Sequence, residues 1–167
     1  AFKMRGDSTW ILKAWGGRGT PAILQLVKLV TIGGIEMKLI GNFLSPFSRR
    51  VAISLNVLNI SYEIENILAF DNAEKIQPYN PLVRVPTLIL DDGEVLIESY
   101  AILDYLDESV VEKKRLIPKN GPGRRRVMKD TAIGVGSMDR AQWAAYEYRH
   151  RPQEKVHDPW VQHNDAK

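Results

Sequence analysis

The stretch Ser45-Pro46-Phe47-Ser48-Arg49-Arg50 decides the predicted fold of this 167-residue chain. It follows a short apolar run at residues 37–41, which predicts a buried strand, and Pro46 suits the first turn of a helix. A serine just before that proline has its hydroxyl at the helix N-terminus, beside backbone N–H groups that lack partners. Such a helix start can hold an anion, and a thiolate is an anion. Ser45 is therefore either a helix cap alone or a residue that activates a bound thiol.

The residues that follow Pro46 predict a helix and then a second strand. Phe47, Val51, Leu55 and Leu58 recur at helical spacing, which predicts a helix over residues 46–59 with these side chains facing the core. Residues 61–65 then alternate between polar and apolar and predict a second strand. Because one helix separates the two strands, we expect them to pair in parallel.

The next segment predicts a hairpin and a further helix. Residues 71–77 suggest a short helix or turn, and residues 86–90 and 94–97 suggest two antiparallel strands joined by the turn Asp91-Asp92-Gly93. A helix should follow from Glu98-Ser99 to about residue 108, with Ser99 as its N-cap. The order β-α-β-α-β-β-α predicts an α/β, thioredoxin-like domain over residues 37–112, built on a four-stranded mixed sheet.

The two ends of the chain differ from this domain. Residues 113–123, rich in Pro and Gly toward their end, predict a linker, and residues 124–167 predict the start of an all-α domain with one helix over 124–150. One helix and a tail cannot bury an apolar face alone, so this unit is incomplete or packs on the first unit or on another chain. We expect residues 1–36 to be a leader or non-native extension outside the fold.

Composition excludes several classes of function. Hydrophobic residues at 44% and charged residues at 26% are typical of a soluble globular protein. The absence of cysteine excludes disulfides, cysteine-based zinc sites and redox chemistry at a protein thiol. The three histidines lack metal-ligand spacing, so no metal is expected. The run Arg124-Arg125-Arg126 is typical of a solvated helix face, and no apolar run is long enough for a bilayer. We expect a cytoplasmic protein that binds neither nucleic acid nor membrane.

Four short motifs are weak signals singly and a strong signal together, because of their order and spacing along the chain. They are Ser45-Pro46-Phe47 after the first strand, Asn80-Pro81, Val85-Pro86 at the entrance of the third strand, and Glu98-Ser99 before an Ile-Leu-x-Tyr-Leu helix. With these motifs the chain from residue 37 to about 160 resembles a glutathione S-transferase, and most closely the bacterial Ser-Pro-Phe enzymes, in which serine activates the thiol. The resemblance implies a complete N-terminal domain and a truncated helical C-terminal domain.

The resemblance also implies roles for individual residues. Ser45 would be catalytic and donate a hydrogen bond to the glutathione sulfur, and a cis bond between Val85 and Pro86 would expose the Val85 backbone to the cysteinyl part. Glu98 would bind the ammonium group of the γ-glutamyl end, and Ser99 with the following N–H groups would bind its carboxylate. The glutathione-binding residues implied in this way are Phe47, Arg84, Val85, Pro86, Glu98 and Ser99.

Structural alternatives remain for these residues. Ser45 can be a cap alone, Pro86 a trans proline at a strand start, and Glu98-Ser99 a capped helix start without a ligand. The implied function is activation of glutathione, as co-substrate, for attack on a small electrophile, with a homodimer where the full helical domain is present. The alternative is a non-catalytic binding or scaffold module, because the resemblance implies that most of the helical domain is missing from this chain.

Overall fold

The computed structural model describes residues 37–165, and the expectation for residues 1–36 lies outside this part of the chain. Seven elements form the first part, in the predicted order β-α-β-α-β-β-α. They are β1 (Lys38–Gly41), α1 (Pro46–Leu58), β2 (Glu63–Asn66), α2 (Ala73–Ile76), β3 (Thr87–Ile89), β4 (Val95–Ile97) and α3 (Ser99–Ser109). Two further helices follow, α4 (Gly121–His150) and α5 (Asp158–Asp165), with short 3₁₀ turns at Glu112–Lys114 and Gln153–Lys155.

The four strands form one mixed sheet in the order β2-β1-β3-β4. β1 pairs with β2 in parallel, whereas β1 with β3 and β3 with β4 are antiparallel. The predicted four-stranded mixed sheet of a thioredoxin-like domain is confirmed, including the parallel pairing across α1.

The two faces of the sheet bury different side chains, because successive residues of a strand point to opposite faces. Leu39 of β1 and Leu88 of β3 pack against α1 and α3 in the larger core, together with Ile102 and Leu106 of α3. Ile40, the next residue of β1, lies on the opposite face with Ile67 and Ile76, under the loop that contains α2. The helices α1 and α3 therefore lie side by side on one face, and their N-termini lie close enough to build a common site.

The buried stripe of α1 differs from the predicted one at its first residue. Its buried members are Ser48, Val51, Ala52, Leu55 and Leu58, whereas Phe47 is only half-buried and lies outside the core cluster. Helical spacing allows either start, because residues 47 and 48 are both about one turn from residue 51. The prediction that Phe47 belongs to the core stripe is wrong, and Phe47 lies instead on the flank of the helix.

The C-terminal part contains more helix than the pattern predicts. α4 begins at Gly121, three residues before the predicted start, and a second helix, α5, occupies the segment that was expected to be a tail. Glu147 of α4 is buried and accepts the backbone N–H of His157 at 3.3 Å, and Arg140 of α4 donates to the backbone of His163. These contacts hold α5 against α4. The division into domains remains a prediction.

The linker before α4 is attached to α3 by one carboxylate. Asp107 is almost fully buried, and its Oδ1 accepts the backbone N–H groups of Leu116 and of Ile117, the latter at 3.2 Å. Among residues 37–165, none of the helices is long and apolar enough to cross a membrane.

Candidate functional site

Ser45 occupies the N-cap position of α1. Its backbone is extended (φ −73°, ψ 119°), and its Oγ accepts the backbone N–H of Ser48 at 3.3 Å. The cap interpretation therefore holds, yet it uses only the acceptor side of the hydroxyl. Within residues 37–165 the Ser45 hydroxyl donates to no acceptor, so its proton can serve a ligand. Capping and activation of a bound thiol are compatible.

A buried asparagine holds the turn that leads to Ser45. The Oδ1 of Asn42 accepts the backbone N–H groups of Leu44 at 2.9 Å and of Ser45 at 3.2 Å. Its Nδ2 donates to the carbonyl of Ile67 at 2.9 Å, beyond the end of β2. Sequence reasoning missed Asn42, although an asparagine three residues before a helix cap is a known signal for such a turn.

A second buried asparagine holds the loop before β3, in which the Val85–Pro86 peptide bond is cis. Asn80 is fully buried, and its Nδ2 donates to the carbonyl of Arg84 at 2.9 Å and to Thr87 Oγ1 at 3.1 Å. Pro86 is buried, and Val85 is partly buried and packs against the core cluster of Ile40, Ile67 and Ile76. The backbone at Arg84 and Val85 is therefore held in place by the Asn80 side chain, which is fully buried and so is not accessible to a ligand.

The start of α3 differs from the predicted cap. Glu98, not Ser99, is the N-cap residue, and its side chain makes no capping hydrogen bond. Glu98 has φ 65° and ψ 130°, a conformation that costs a non-glycine residue about 1–3 kcal/mol and that is common at functional sites. Its Oε1 lies 3.3 Å from Nη1 of Arg84, so the carboxylate is turned toward the loop before β3 instead of toward the helix.

We use the name sheet domain for the segment from β1 to α3, residues 38–109. The elements described above enclose a cleft of about 1020 Å³ between the sheet domain and α4. Five of the predicted site residues line it, namely Phe47, Arg84, Val85, Glu98 and Ser99. Ser45 and Pro86 are not among the residues that line this cleft, although Phe47 is only two positions from Ser45 on α1. The wall from α4 is mostly apolar and includes Val127, Met128, Thr131, Val135 and Met138.

Arg50 also lines the cleft and was missed by sequence reasoning. Its Nη1 donates to Ser99 Oγ at 3.4 Å, and burial lowers the pKa of its guanidinium. No carboxylate lies within 4.0 Å of Arg50 among the described residues, so its charge has no anionic partner there. The spacing of Phe47, Arg50 and Ser54 places all three on one flank of α1, and Phe47 could therefore have pointed to Arg50.

The C-terminal half of α4 contacts the sheet domain through aromatic rings. Phe70, in the loop after β2, lies 5.2 Å from Tyr146 edge to face and 4.3 Å from His150. Burial raises the pKa of Tyr146, while a hydrogen bond from Gln142 has the opposite effect. Trp143 and Tyr148 are more than half exposed, so of these aromatic side chains of α4 only Tyr146 and His150 contact Phe70.

Comparison with known proteins agrees with this arrangement. Residues 39–114 match the family described as glutathione S-transferase, N-terminal domain. Residues 39–114 are therefore similar to the N-terminal domain of glutathione S-transferases. The chain is 33% identical over 103 residues to the uncharacterized GST-like protein YibF of Escherichia coli K12, an alignment that covers 62% of this chain and 50% of YibF. It is 37% identical over 105 residues to maleylacetoacetate isomerase of Pseudomonas aeruginosa, with 60% and 49% of the two chains covered.

Solved structures show the same likeness. A glutathione transferase family member from Pseudomonas fluorescens Pf-5 with bound glutathione has a TM-score of 0.70 and 30% identity, and the match covers 78% of this chain and 65% of that one. A glutathione S-transferase from Methylobacillus flagellatus with glutathione bound has a TM-score of 0.69 and 30% identity, with 77% and 63% covered. The chain spans about half the length of the curated relatives YibF and maleylacetoacetate isomerase.

Proposed function

We propose that this chain belongs to the glutathione S-transferase family, that it binds glutathione in the cleft, and that Ser45 activates the glutathione thiol for attack on a small electrophile. The observation that carries the proposal is the convergence of Val85, Glu98 and Ser99 on one cleft, at the N-terminus of α3. A helix N-terminus favours a carboxylate, and a backbone segment at the edge of a cleft can pair with a peptide-like ligand. Glutathione has both features.

Charges in the cleft match the γ-glutamyl end of glutathione, which carries one ammonium and one carboxylate. Glu98 supplies a carboxylate for the ammonium, while Arg50, Ser99 and the α3 N–H groups suit the carboxylate. Arg84 already pairs with Glu98, but the Arg84 side chain is 60% exposed. Exposed ion pairs contribute only about 0–1 kcal/mol, so the ligand ammonium can share or replace this contact at little cost.

Ser45 would act on the sulfur. A free thiol with a pKa of about 8.5 is only a few per cent ionised at neutral pH. Lowering that pKa by one to two units requires about 1.4–2.7 kcal/mol of preference for the thiolate. A hydrogen bond from the free Ser45 proton together with the N-terminus of α1 is of the right size. The thiolate then forms a C–S bond to an electrophilic carbon, either displacing a leaving group or adding to a double bond whose electron pair is then protonated, and no covalent bond to the protein forms.

The finer assignments belong to the same proposal. The chain would be a serine-type transferase related to the bacterial Ser-Pro-Phe enzymes, cytoplasmic, and a homodimer where the helical domain is complete. Phe47 would contact the ligand from the flank of α1, Pro86 would fix the Val85 backbone, and the apolar wall of α4 would receive the electrophile. Glutathione in the two solved structures named above is a property of those proteins and supports the ligand class here.

The proposal is tested by the pKa of bound glutathione. Thiolate absorbance is titrated against pH for the full chain saturated with glutathione, in the wild type and in Ser45→Ala. We expect the bound thiol to ionise at lower pH than free glutathione in the wild type, and close to free glutathione in Ser45→Ala. Ser109→Ala is the matched control, because the Ser109 hydroxyl donates only to the Leu106 carbonyl at the far end of α3. A thiol pKa that Ser45→Ala leaves unchanged rejects the catalytic role.

A non-catalytic binding or scaffold module is the second candidate. It is favoured by α4, in which Ala144 and Glu147 are the only buried residues of a 30-residue helix. Retention on immobilised glutathione separates the two functions. A folded chain that is not retained supports the scaffold function.

A further inference from the structure

We propose that Asn42 is a positioning residue for Ser45, and this inference rests on the proposed function. Asn42 is 7% exposed and does not line the cleft, so it acts through the turn that it holds and not by contact with the ligand. No other described side chain hydrogen-bonds to the backbone of Leu44 or of Ser45.

The Asn42 side chain joins the turn to the sheet. It accepts two N–H groups from the turn and donates one N–H to Ile67, which is 25 residues away at the exit of β2. The turn residues Phe43 and Leu44 are 54% and 72% exposed, so packing contributes little to their placement. Without the Asn42 side chain the turn would keep a single backbone hydrogen bond, from Ser45 N–H to the Asn42 carbonyl at 3.2 Å.

The direction of the Ser45 hydroxyl follows from this arrangement. The Ser45 N–H is directed at Asn42, and the Ser45 Oγ is directed at the N–H of Ser48. These two contacts restrict the direction of the hydroxyl proton, which is the group proposed to meet the sulfur. A positioned donor stabilises a thiolate more than a mobile one, because no reorganisation is needed when the charge forms.

An amide side chain of this length meets the three partners together. A serine hydroxyl in place of the Asn42 amide can still accept from the N–H two residues later, but it is too short to hold the turn and Ile67 together. Alanine removes all three contacts. The number of side-chain contacts that hold the turn therefore decreases from the wild type to Asn42→Ser and further to Asn42→Ala.

The matched control is Asn80→Ala. Asn80 is also buried and its side chain also makes three hydrogen bonds, but these hold the loop before β3 and not the Ser45 turn. We expect both alanine variants to lose stability, and we expect Asn80→Ala to weaken glutathione binding. Only Asn42→Ala should move the thiol pKa of saturated glutathione.

The test is the pH titration of thiolate absorbance on the full chain, at low temperature, with the folded fraction checked by circular dichroism. We expect Asn42→Ala to produce at least half of the rise in thiol pKa that Ser45→Ala produces, Asn42→Ser a smaller rise, and the double variant no more than Ser45→Ala alone. If Asn42→Ala does not fold, Asn42→Ser decides the outcome.

The failures of the two proposals are distinguishable. A pKa that Ser45→Ala does not change rejects the proposed function. A pKa that Ser45→Ala raises but that neither Asn42 variant changes overturns the role of Asn42 and leaves the function intact. An equal rise in Asn80→Ala would also overturn it, because general loosening of the domain would then explain the effect.

Discussion

Replacing Gly41 by alanine is expected to push β1 against the first turn of α1. A Cβ at Gly41 would lie 2.5 Å from Oγ and 3.1 Å from Cβ of Ser48, and 3.7 Å from Cβ of Val85. The φ of Gly41 lies outside the left-handed region, so alanine carries no backbone penalty and the whole cost is steric. Overpacking of this kind costs about 1–3 kcal/mol, and we expect about 2 kcal/mol here because Ser48 is fully buried.

Ser48→Ala should relieve this clash and also stabilise the wild-type background. The Ser48 Oγ is buried and has no hydrogen-bond partner within residues 37–165. An unsatisfied buried hydroxyl costs about 1–3 kcal/mol, so its removal should stabilise the fold by about 1 kcal/mol. In Gly41→Ala/Ser48→Ala the 2.5 Å contact with Oγ is gone and the 3.1 Å contact with Cβ remains. The two substitutions should therefore be non-additive, with a coupling energy of about 1–2 kcal/mol in favour of the double variant.

Urea unfolding followed by circular dichroism measures all four corners of this cycle. Thermal unfolding should agree, because about 1 kcal/mol corresponds to roughly 2–4 °C in a chain of this size. Titration of the glutathione thiol adds a functional readout, because the Ser45 Oγ accepts a hydrogen bond from the Ser48 N–H. Additive effects on stability, or a Ser48→Ala variant that is less stable than the wild type, would refute the reasoning about the buried hydroxyl.

Two further predictions concern single polar contacts. Arg50→Leu should weaken glutathione binding about ten- to hundredfold, because a hydrogen bond to a charged group contributes about 1.5–3 kcal/mol. Calorimetric titration checks this, and equal weakening by the exposed control Arg49→Leu would contradict it. Asp107→Ala should destabilise the chain by about 1.5–3 kcal/mol and increase cleavage of the segment around Leu116, because two backbone N–H groups lose a charged acceptor. Limited proteolysis measures the cleavage, and the exposed neighbour Glu108→Ala should leave it unchanged.

The sheet was predictable because its signals are local. The apolar run at residues 37–41 predicted a buried strand, and the turn Asp91-Asp92-Gly93 predicted the hairpin, in which Gly93 has φ 91°. Each signal depends on neighbours within a few residues, and each was sufficient without tertiary information. The resemblance then indicated five of the residues that line the cleft, four of them within its motifs.

The missed features depend in part on partners distant in sequence. Asn42 meets Ile67 across 25 residues, and Arg50 meets Ser99 across 49 residues. The hydrophobic periodicity of a sequence does not indicate which distant residue a polar side chain contacts. The contact between Arg50 and Ser99, for example, is known only once the fold has brought the starts of α1 and α3 together. The helix α5 was missed for a related reason, because eight residues are too few for a stable helix without the packing that α4 supplies.

The placement of these polar contacts suggests how the proposed function is divided within the chain. The groups assigned to glutathione all lie between Asn42 and Ser99, and two buried asparagines hold two of the segments that carry them, the turn before α1 and the loop before β3. The helix α4 is held differently, through the Asp107 contact with the linker and through the packing of Phe70 on Tyr146 and His150. It buries few of its own side chains. Thiol activation should therefore depend on the sheet domain, whereas the choice of electrophile should depend on α4.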